Sequence, residues 1–265
     1  MQWIRSAHRQ NLLLALLIIV IFGLLALYSA PFVVDDAYIS FTYARNLAQG
    51  NGATYNGLWV EGYSNPLWVL LITPFLWLGV EPLTAARLLS LAAVLISFYL
   101  IGRLTERFLP QRSFVVRAII LVTLASNSAL LTWTMSGMET VLALMFITLI
   151  VYLEVHPAVN NPLPSALAVV CLALTRPEGM MLFPILLVYH SLRGNYPWQR
   201  QLTWTLYVVV LFGLFIVHRL IVYGYPLPNT AYVKLGSDDL AATVSAGLAY
   251  VGSFFLVRPM LTVLL

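Results

Sequence analysis

The run Asn11–Ala30 is about 20 residues long and contains no charged side chain. At 1.5 Å per helical residue it reaches about 30 Å, the thickness of a bilayer's hydrocarbon core. Such a segment must satisfy its own backbone hydrogen bonds, so it is a helix, and it commits the chain to a membrane. It is longer than the apolar part of a signal peptide, and further apolar runs follow. It therefore reads as a retained first span, with Arg5, His8 and Arg9 holding the N-terminus on the cytoplasmic side. Composition agrees, since 9% of the residues are charged against roughly 25% in soluble domains. The net charge of +4 does not point to nucleic acid, because the basic residues are spread among short interhelical segments in the manner of a topology signal. Cys171, the sole cysteine, lies in an apolar run and reads as a packing residue, with no disulfide or zinc framework around it.

Residues 31–80 form the first outer loop on this reading. Within it Ala37, Phe41, Ala44 and Ala48 recur at helical spacing and Gly50 closes the pattern, which predicts an amphipathic surface helix. Pro66–Gly79 spans about 14 residues, roughly 21 Å as a helix, and reads as juxtamembrane rather than spanning. Spans are expected at about Thr84–Gly102, Ser113–Trp133, Glu139–Val155, Gln201–Val222 and Leu240–Val257. Pro164–Thr175 and Met180–Leu192 read as a helix pair whose polar tip is sunk below the bilayer surface, which is tolerated where protein or a wet cavity surrounds it. The whole predicts an all-α integral membrane protein, one transmembrane domain over residues 1–265 with about eight spans. This layout places nine of the 14 Lys and Arg on one side, Arg103, Arg107, Arg112 and Arg117 being the densest group, and eight of the ten acids on the other. Counting Pro66–Gly79 as a span would invert every later loop and put that arginine group outside, against the positive-inside rule.

The residues capable of chemistry collect on the acidic, outer side. Asp35 and Asp36 open the surface helix. They suit an N-cap and a first-turn acid, and equally a carboxylate base at the mouth of a cavity, since the helix dipole favours negative charge there. Successive helical positions point about 100° apart, so one of the two faces a given substrate. Glu61-Gly62-Tyr63-Ser64-Asn65-Pro66 reads as a turn and a helix cap, and Ser136-Gly137-Met138-Glu139-Thr140 as an interhelical turn. In Thr175-Arg176-Pro177-Glu178-Gly179, Arg176 and Glu178 either simply pair, or Glu178 holds Arg176 toward an anionic lipid head group. The loop Tyr223–Lys234, kept extended by Pro226 and Pro228, carries Asn229 and the only lysine, Lys234, as a solvated anchor or a phosphate contact. No Gly-rich phosphate loop, metal-spaced His/Cys set or Ser/His/Asp arrangement is apparent, and the two aspartates are a weak signal for a divalent cation.

Five segments in one order resemble the GT-C membrane glycosyltransferases: Asp35-Asp36-Ala37-Tyr38-Ile39-Ser40-Phe41, Val60-Glu61-Gly62-Tyr63-Ser64-Asn65-Pro66-Leu67-Trp68, Ser136–Thr140, Arg176-Pro177-Glu178-Gly179 and Pro226-Leu227-Pro228-Asn229-Thr230. Among these enzymes the chain is similar to relatives of the mycobacterial arabinofuranosyltransferases that cap cell-wall arabinan. The resemblance implies a GT-C-like bundle in a bacterial plasma membrane, acting in cell-envelope biogenesis with a cytoplasmic N-terminus. It further implies inverting transfer of a sugar from a polyprenyl-phosphate donor to an extracytoplasmic glycan or lipid acceptor. It gives the base to Asp35 or Asp36, with Asp35 favoured as the first acid of the pair. It places Glu61, Tyr63, Asn65, Glu139, Arg176, Glu178, Asn229 and Lys234 around the substrates. Proteins of this kind continue through several more spans, so the chain is expected to be the N-terminal part of a longer architecture. Two other readings stand beside this one, a transporter or flippase for lipid-linked sugars and a non-catalytic membrane subunit. The first would show paired repeats and polar residues in the middle of several spans, and neither is evident.

Overall fold

The computed structural model describes residues 2–110, 113–156, 161–193, 197–235 and 240–257. Arg112 and the side chains of Arg5, His8, Arg9 and Lys234 lie outside the described parts. Among the described residues the regular elements are all helical. The first is α1 (Gln2–Ser29), whose Leu14, Ile18, Phe22 and Ala26 form a buried stripe while Leu13, Leu17, Leu24 and Leu27 face outward. An outward face of leucines has no place in water and suits lipid.

The outer loop folds as its pattern predicts. In α2 (Ala37–Ala48), Ala37, Phe41 and Ala44 are buried, and Gly50 follows the helix at φ +79. Helix α3 (Pro66–Trp77) starts on a proline, whose missing N–H would have had no partner in the first turn anyway. It packs against α2, with Trp68 fully buried. Helix α4 (Pro82–Phe108) runs about 40 Å at its 27 residues and packs along α7 (Thr140–Val155).

The expected straight span Ser113–Trp133 is two helices, α5 (Ser113–Ala125) and α6 (Ser128–Met135), bent by 54°. The break is caused by Asn127, whose side chain accepts from the backbone N–H of Leu130 and caps α6. The helix pair is α8 (Leu163–Thr175) and α9 (Leu182–Leu192), joined by a 3₁₀ turn over Pro177–Met181. Gly179 lies so close to α8 that a Cβ there would come within 2.9 Å of the Leu172 backbone, so the turn requires glycine. Helix α10 (Trp198–Tyr223) packs on α8 and exposes a long apolar face. The segment expected to stay extended after Pro228 instead forms α11 (Asn229–Leu235): both prolines precede the helix, so neither removes a hydrogen bond from it. Last is α12 (Leu240–Val257).

The architecture is thus an all-α membrane protein, but the count of about eight spans is not supported. Among the described residues three helices are long and apolar enough to cross alone, α1, α4 and α10, and four spans result if the bent α5–α6 pair is one. Helices α3, α7 and α8 hold 12, 16 and 13 apolar-rich residues, roughly 18–24 Å, which falls short of about 30 Å of hydrocarbon.

At the ends of the helices away from the outer loop, Glu154 of α7 gathers three neighbours. Ser165 of α8 donates to one carboxylate oxygen, His190 Nε2 of α9 lies 2.8 Å from the other, and Trp204 Nε1 of α10 donates to Ser165 Oγ at 3.2 Å. The sequence showed no such grouping. Its order argues against a nucleophile: the carboxylate sits between serine and histidine, so the serine hydroxyl proton points at Glu154 and not at the base. The group ties four helices together through one buried acid.

Candidate functional site

The turn Ser136–Glu139 is the point where the distant motifs meet. The backbone N–H of Val34 donates to Ser136 O at 3.1 Å, which seats the segment bearing Asp35 and Asp36 against this turn. Gly137, at φ +85, sits so near α2 that a Cβ would come within 3.0 Å of Ala37 Cβ and of the Phe41 ring. Trp68 Nε1 of α3 donates to Gly137 O at 3.1 Å. Helix α2, helix α3 and the turn are therefore locked at close range, with no room for a side chain at residue 137.

Glu139, which by itself reads as the acid of an ordinary turn and by resemblance as a substrate neighbour, is buried at 4% exposure and carries two contacts. Its Oε2 accepts from Asn65 Nδ2 at 2.8 Å, and its Oε1 accepts from Arg176 Nε at 2.9 Å. Asn65 in turn accepts from Ser40 Oγ of α2 at 3.0 Å. A single chain, Ser40–Asn65–Glu139–Arg176, so links four of the segments. The possible pairing of Arg176 with Glu178 is not what the structure has. Arg176 is extended at φ −146, ψ 126, which swings its side chain to Glu139, while Glu178 is exposed and enters the 3₁₀ turn. The Arg176 side chain remains 42% exposed, and among the described residues Glu139 is the acid it pairs with.

A second buried pair lies alongside. Arg219 of α10 reaches Glu61 with Nη2 at 2.7 Å and Nε at 2.8 Å, and its guanidinium lies 5.3 Å from the Phe215 ring centre. Burial pushes the Glu61 carboxyl above its usual range, and the charge and hydrogen bonds of Arg219 offset part of that. The backbone N–H of Asn229 donates to Glu61 O at 3.1 Å, which brings the last motif to the same place, while the Asn229 side chain is exposed. Arg219 was missed from the sequence. An arginine near the end of an otherwise apolar span is costly unless paired, and that rule was the available signal. A cavity of ≈ 470 Å³ opens here, with Glu61, Ser64, Glu178 and Arg219 at its polar part and Phe212 and Phe215 among its apolar walls.

Tyr63 is buried, its ring 4.2 Å from that of Tyr43 and its hydroxyl 3.3 Å from that of Tyr223. These contacts make it a packing residue joining the loop to α10. Asp35 and Asp36 are exposed, and among the described residues no cation pairs with either. Asp36 holds the N-cap position of α2 without a side-chain cap bond, and its own N–H donates to Asp35 Oδ1 at 3.0 Å. Asp36 thus holds the cap's place without its hydrogen bond, no acid stands in the first turn, and both exposed carboxylates can reach other partners. Among the described residues no three His, Cys, Asp or Glu side chains are grouped to hold a metal ion. Two carboxylates alone are a poor fit for a protein-held divalent cation, which takes six or more oxygen ligands.

Fold and site together define an all-α membrane protein with two buried carboxylates, each paired with an arginine, and two exposed aspartates where its outer-loop helices meet the bundle. The chain is similar to the terminal β-(1→2)-arabinofuranosyltransferase of Mycobacterium tuberculosis (strain ATCC 25618 / H37Rv), with 29% identity over 244 residues that cover 84% of the chain. The resemblance read from the five motifs therefore holds. The chain spans 37% of the length of that relative. No protein-family model and no solved structure matches the chain at a significant level.

Proposed function

We propose that the chain forms the catalytic cavity of an inverting glycosyltransferase, with a GT-C-like bundle, that moves a sugar from a polyprenyl-phosphate donor to an extracytoplasmic cell-envelope glycan or lipid. The observation that carries this reading is the gathering of the motif segments on the Ser136–Glu139 turn, beside two aspartates with no cationic partner among the described residues. The likeness to an arabinofuranosyltransferase supports the reaction class. The uneven distribution of charge supports the aspartates outside and the N-terminus in the cytoplasm, and the likeness to a mycobacterial enzyme supports a bacterial plasma membrane.

In this mechanism Asp35 takes the proton of the acceptor hydroxyl as its oxygen bonds to the anomeric carbon. The bond from that carbon to the phosphate oxygen breaks on the opposite face, and the lipid phosphate leaves with the electron pair. A base in this role must come within about 2.6–3.2 Å of the hydroxyl, which an exposed carboxylate such as that of Asp35 can do. Charge growing on the leaving phosphate needs a fixed cation in a site of low dielectric. Arg176 suits this, because Glu139 holds its Nε while the side chain remains 42% exposed. Lys234 follows on α11 as a second cation. The apolar wall at Phe212 and Phe215 suits the first isoprene units of a donor whose tail stays in the bilayer. Glu139 and Asn65 act as positioning residues here, and Glu61 positions Arg219.

The test is incubation of the purified chain with a panel of radiolabelled polyprenyl-phosphate sugars and cell-envelope acceptors, with and without EDTA. The expected result is transfer of label from one donor, unaffected by the chelator. Movement of labelled donor across proteoliposomes with no transfer would favour a flippase. Transfer seen only when a separate chain is added back would favour the non-catalytic subunit.

A further inference from the structure

At the opposite end of the bundle, the last turns of α4 carry Arg103, Glu106 and Arg107, and α5 brings Arg117 against them. Glu106 accepts from Arg103 Nη1 at 2.9 Å and pairs with Arg117, so one carboxylate serves two guanidiniums and Arg107 adds a third positive charge. The Arg117 stem lies across Gly102, where an added Cβ would meet its Cδ at 3.4 Å, and this contact fixes the guanidinium beside Glu106.

Two cavities meet at Arg103 and Glu106 and differ in character. One, of ≈ 380 Å³, is an apolar groove between α1 and α4, with Leu14 and Ile18 on one wall and Leu95 and Phe98 on the other. Phe98 meets Phe22 of α1 edge to face at 5.7 Å, so the two helices touch above the groove. The other, of ≈ 200 Å³, is polar and adds Arg107, Tyr152 and His156. Both helices that form the groove are long and apolar enough to cross a membrane, so the groove lies at acyl-chain depth and the arginines at head-group depth.

We propose that this end holds one anionic phospholipid, with an acyl chain in the α1–α4 groove and its phosphate between Arg103 and Arg107. The argument is charge and shape complementarity. A small soluble anion would leave the apolar groove unused. A lipid without net charge would leave Arg107, which pairs with no acid among the described residues, without a counter-charge. Basic pockets between membrane helices take anionic head groups for this reason, each arginine near the surface contributing a similar increment. The site is separate from the aspartates and does not depend on the transferase reading. Its role would be to seal α1, which packs on α5 and α6, against the middle of α4.

The test is native mass spectrometry and thermal unfolding of the full 265-residue chain in neutral detergent, titrated with phosphatidylglycerol or phosphatidylcholine. The expected result is one retained phosphatidylglycerol, a rise in unfolding midpoint with that lipid alone, and binding about 5- to 30-fold weaker in the Arg103→Gln/Arg107→Gln variant. Leu95→Trp, which fills the groove and leaves the charges in place, also lowers retention and decides the matter if the double variant does not fold. Equal retention of the two lipids overturns the proposal. So does undiminished phosphatidylglycerol binding in the variants that fold.

Discussion

Asp35→Asn lowers glycosyl transfer by about 10²–10⁴-fold, the share that a positioned general base supplies, while membrane insertion and helical content stay as in the parent. The substitution is mild in structure. The one hydrogen bond that Asp35 makes with Asp36 N–H uses Oδ1, and an asparagine oxygen accepts that bond as well. The side chain is exposed, so no desolvated charge is created or lost. What disappears is the capacity to take a proton from the acceptor hydroxyl. Initial rates with a labelled polyprenyl-phosphate sugar, at matched amounts of inserted protein, check this. Asp36→Asn is the internal control, because neighbouring positions point about 100° apart and one faces the substrate. Full activity in Asp35→Asn with loss in Asp36→Asn moves the base by one residue. Full activity in both variants removes the carboxylate base altogether.

Arg219→Met destabilises the protein by about 3–5 kcal/mol, because it strands Glu61 as a buried, unpaired carboxylate. The loss includes the contact of the guanidinium with Phe215 and loosens α10 from the outer loop, since the Glu61–Arg219 pair is one of the ties between them, beside the Tyr63–Tyr223 contact. The measurement is the thermal midpoint in detergent, beside yield from membranes. The double change Glu61→Leu/Arg219→Met recovers most of the loss, because an apolar pair needs no compensation for desolvated charge. If Arg219→Met unfolds at the parent's temperature, the pair contributes little and the link between α10 and the loop lies elsewhere.

The helices were legible wherever a periodic pattern ended at a definite stop. Ala37, Phe41 and Ala44 mark the buried face of α2 at helical spacing, and Gly50 ends it. The bend between α5 and α6 was not legible, because residues on both sides are uniformly apolar and the break depends on which group Asn127 caps. Length was a sound guide for α3, read as juxtamembrane, and for the short α8, but α7 was expected as a span and holds 16 residues. For the site, the order of the motifs was readable but the pairings were not. Glu61 and Arg219 lie 158 residues apart, and nothing in the spacing says which helix meets the loop. Arg176 and Glu178 are near neighbours in sequence, yet the extended backbone at Arg176 sends it 37 residues back to Glu139. Tyr63 joins Tyr43 and Tyr223 through its ring and hydroxyl, contacts across 20 and 160 residues that the sequence did not announce.

The chain Ser40–Asn65–Glu139–Arg176 has a consequence for how this protein can change over evolutionary time. Each member is held by its neighbour, and both carboxylate oxygens of Glu139 are used. A change at one position leaves the remaining groups without partners, so a second change in the chain does much less harm than it would alone. Inheritance at these four sites is therefore epistatic. Lineages can keep the whole set or replace it jointly, and the intermediates between those two states are the poorly fit ones.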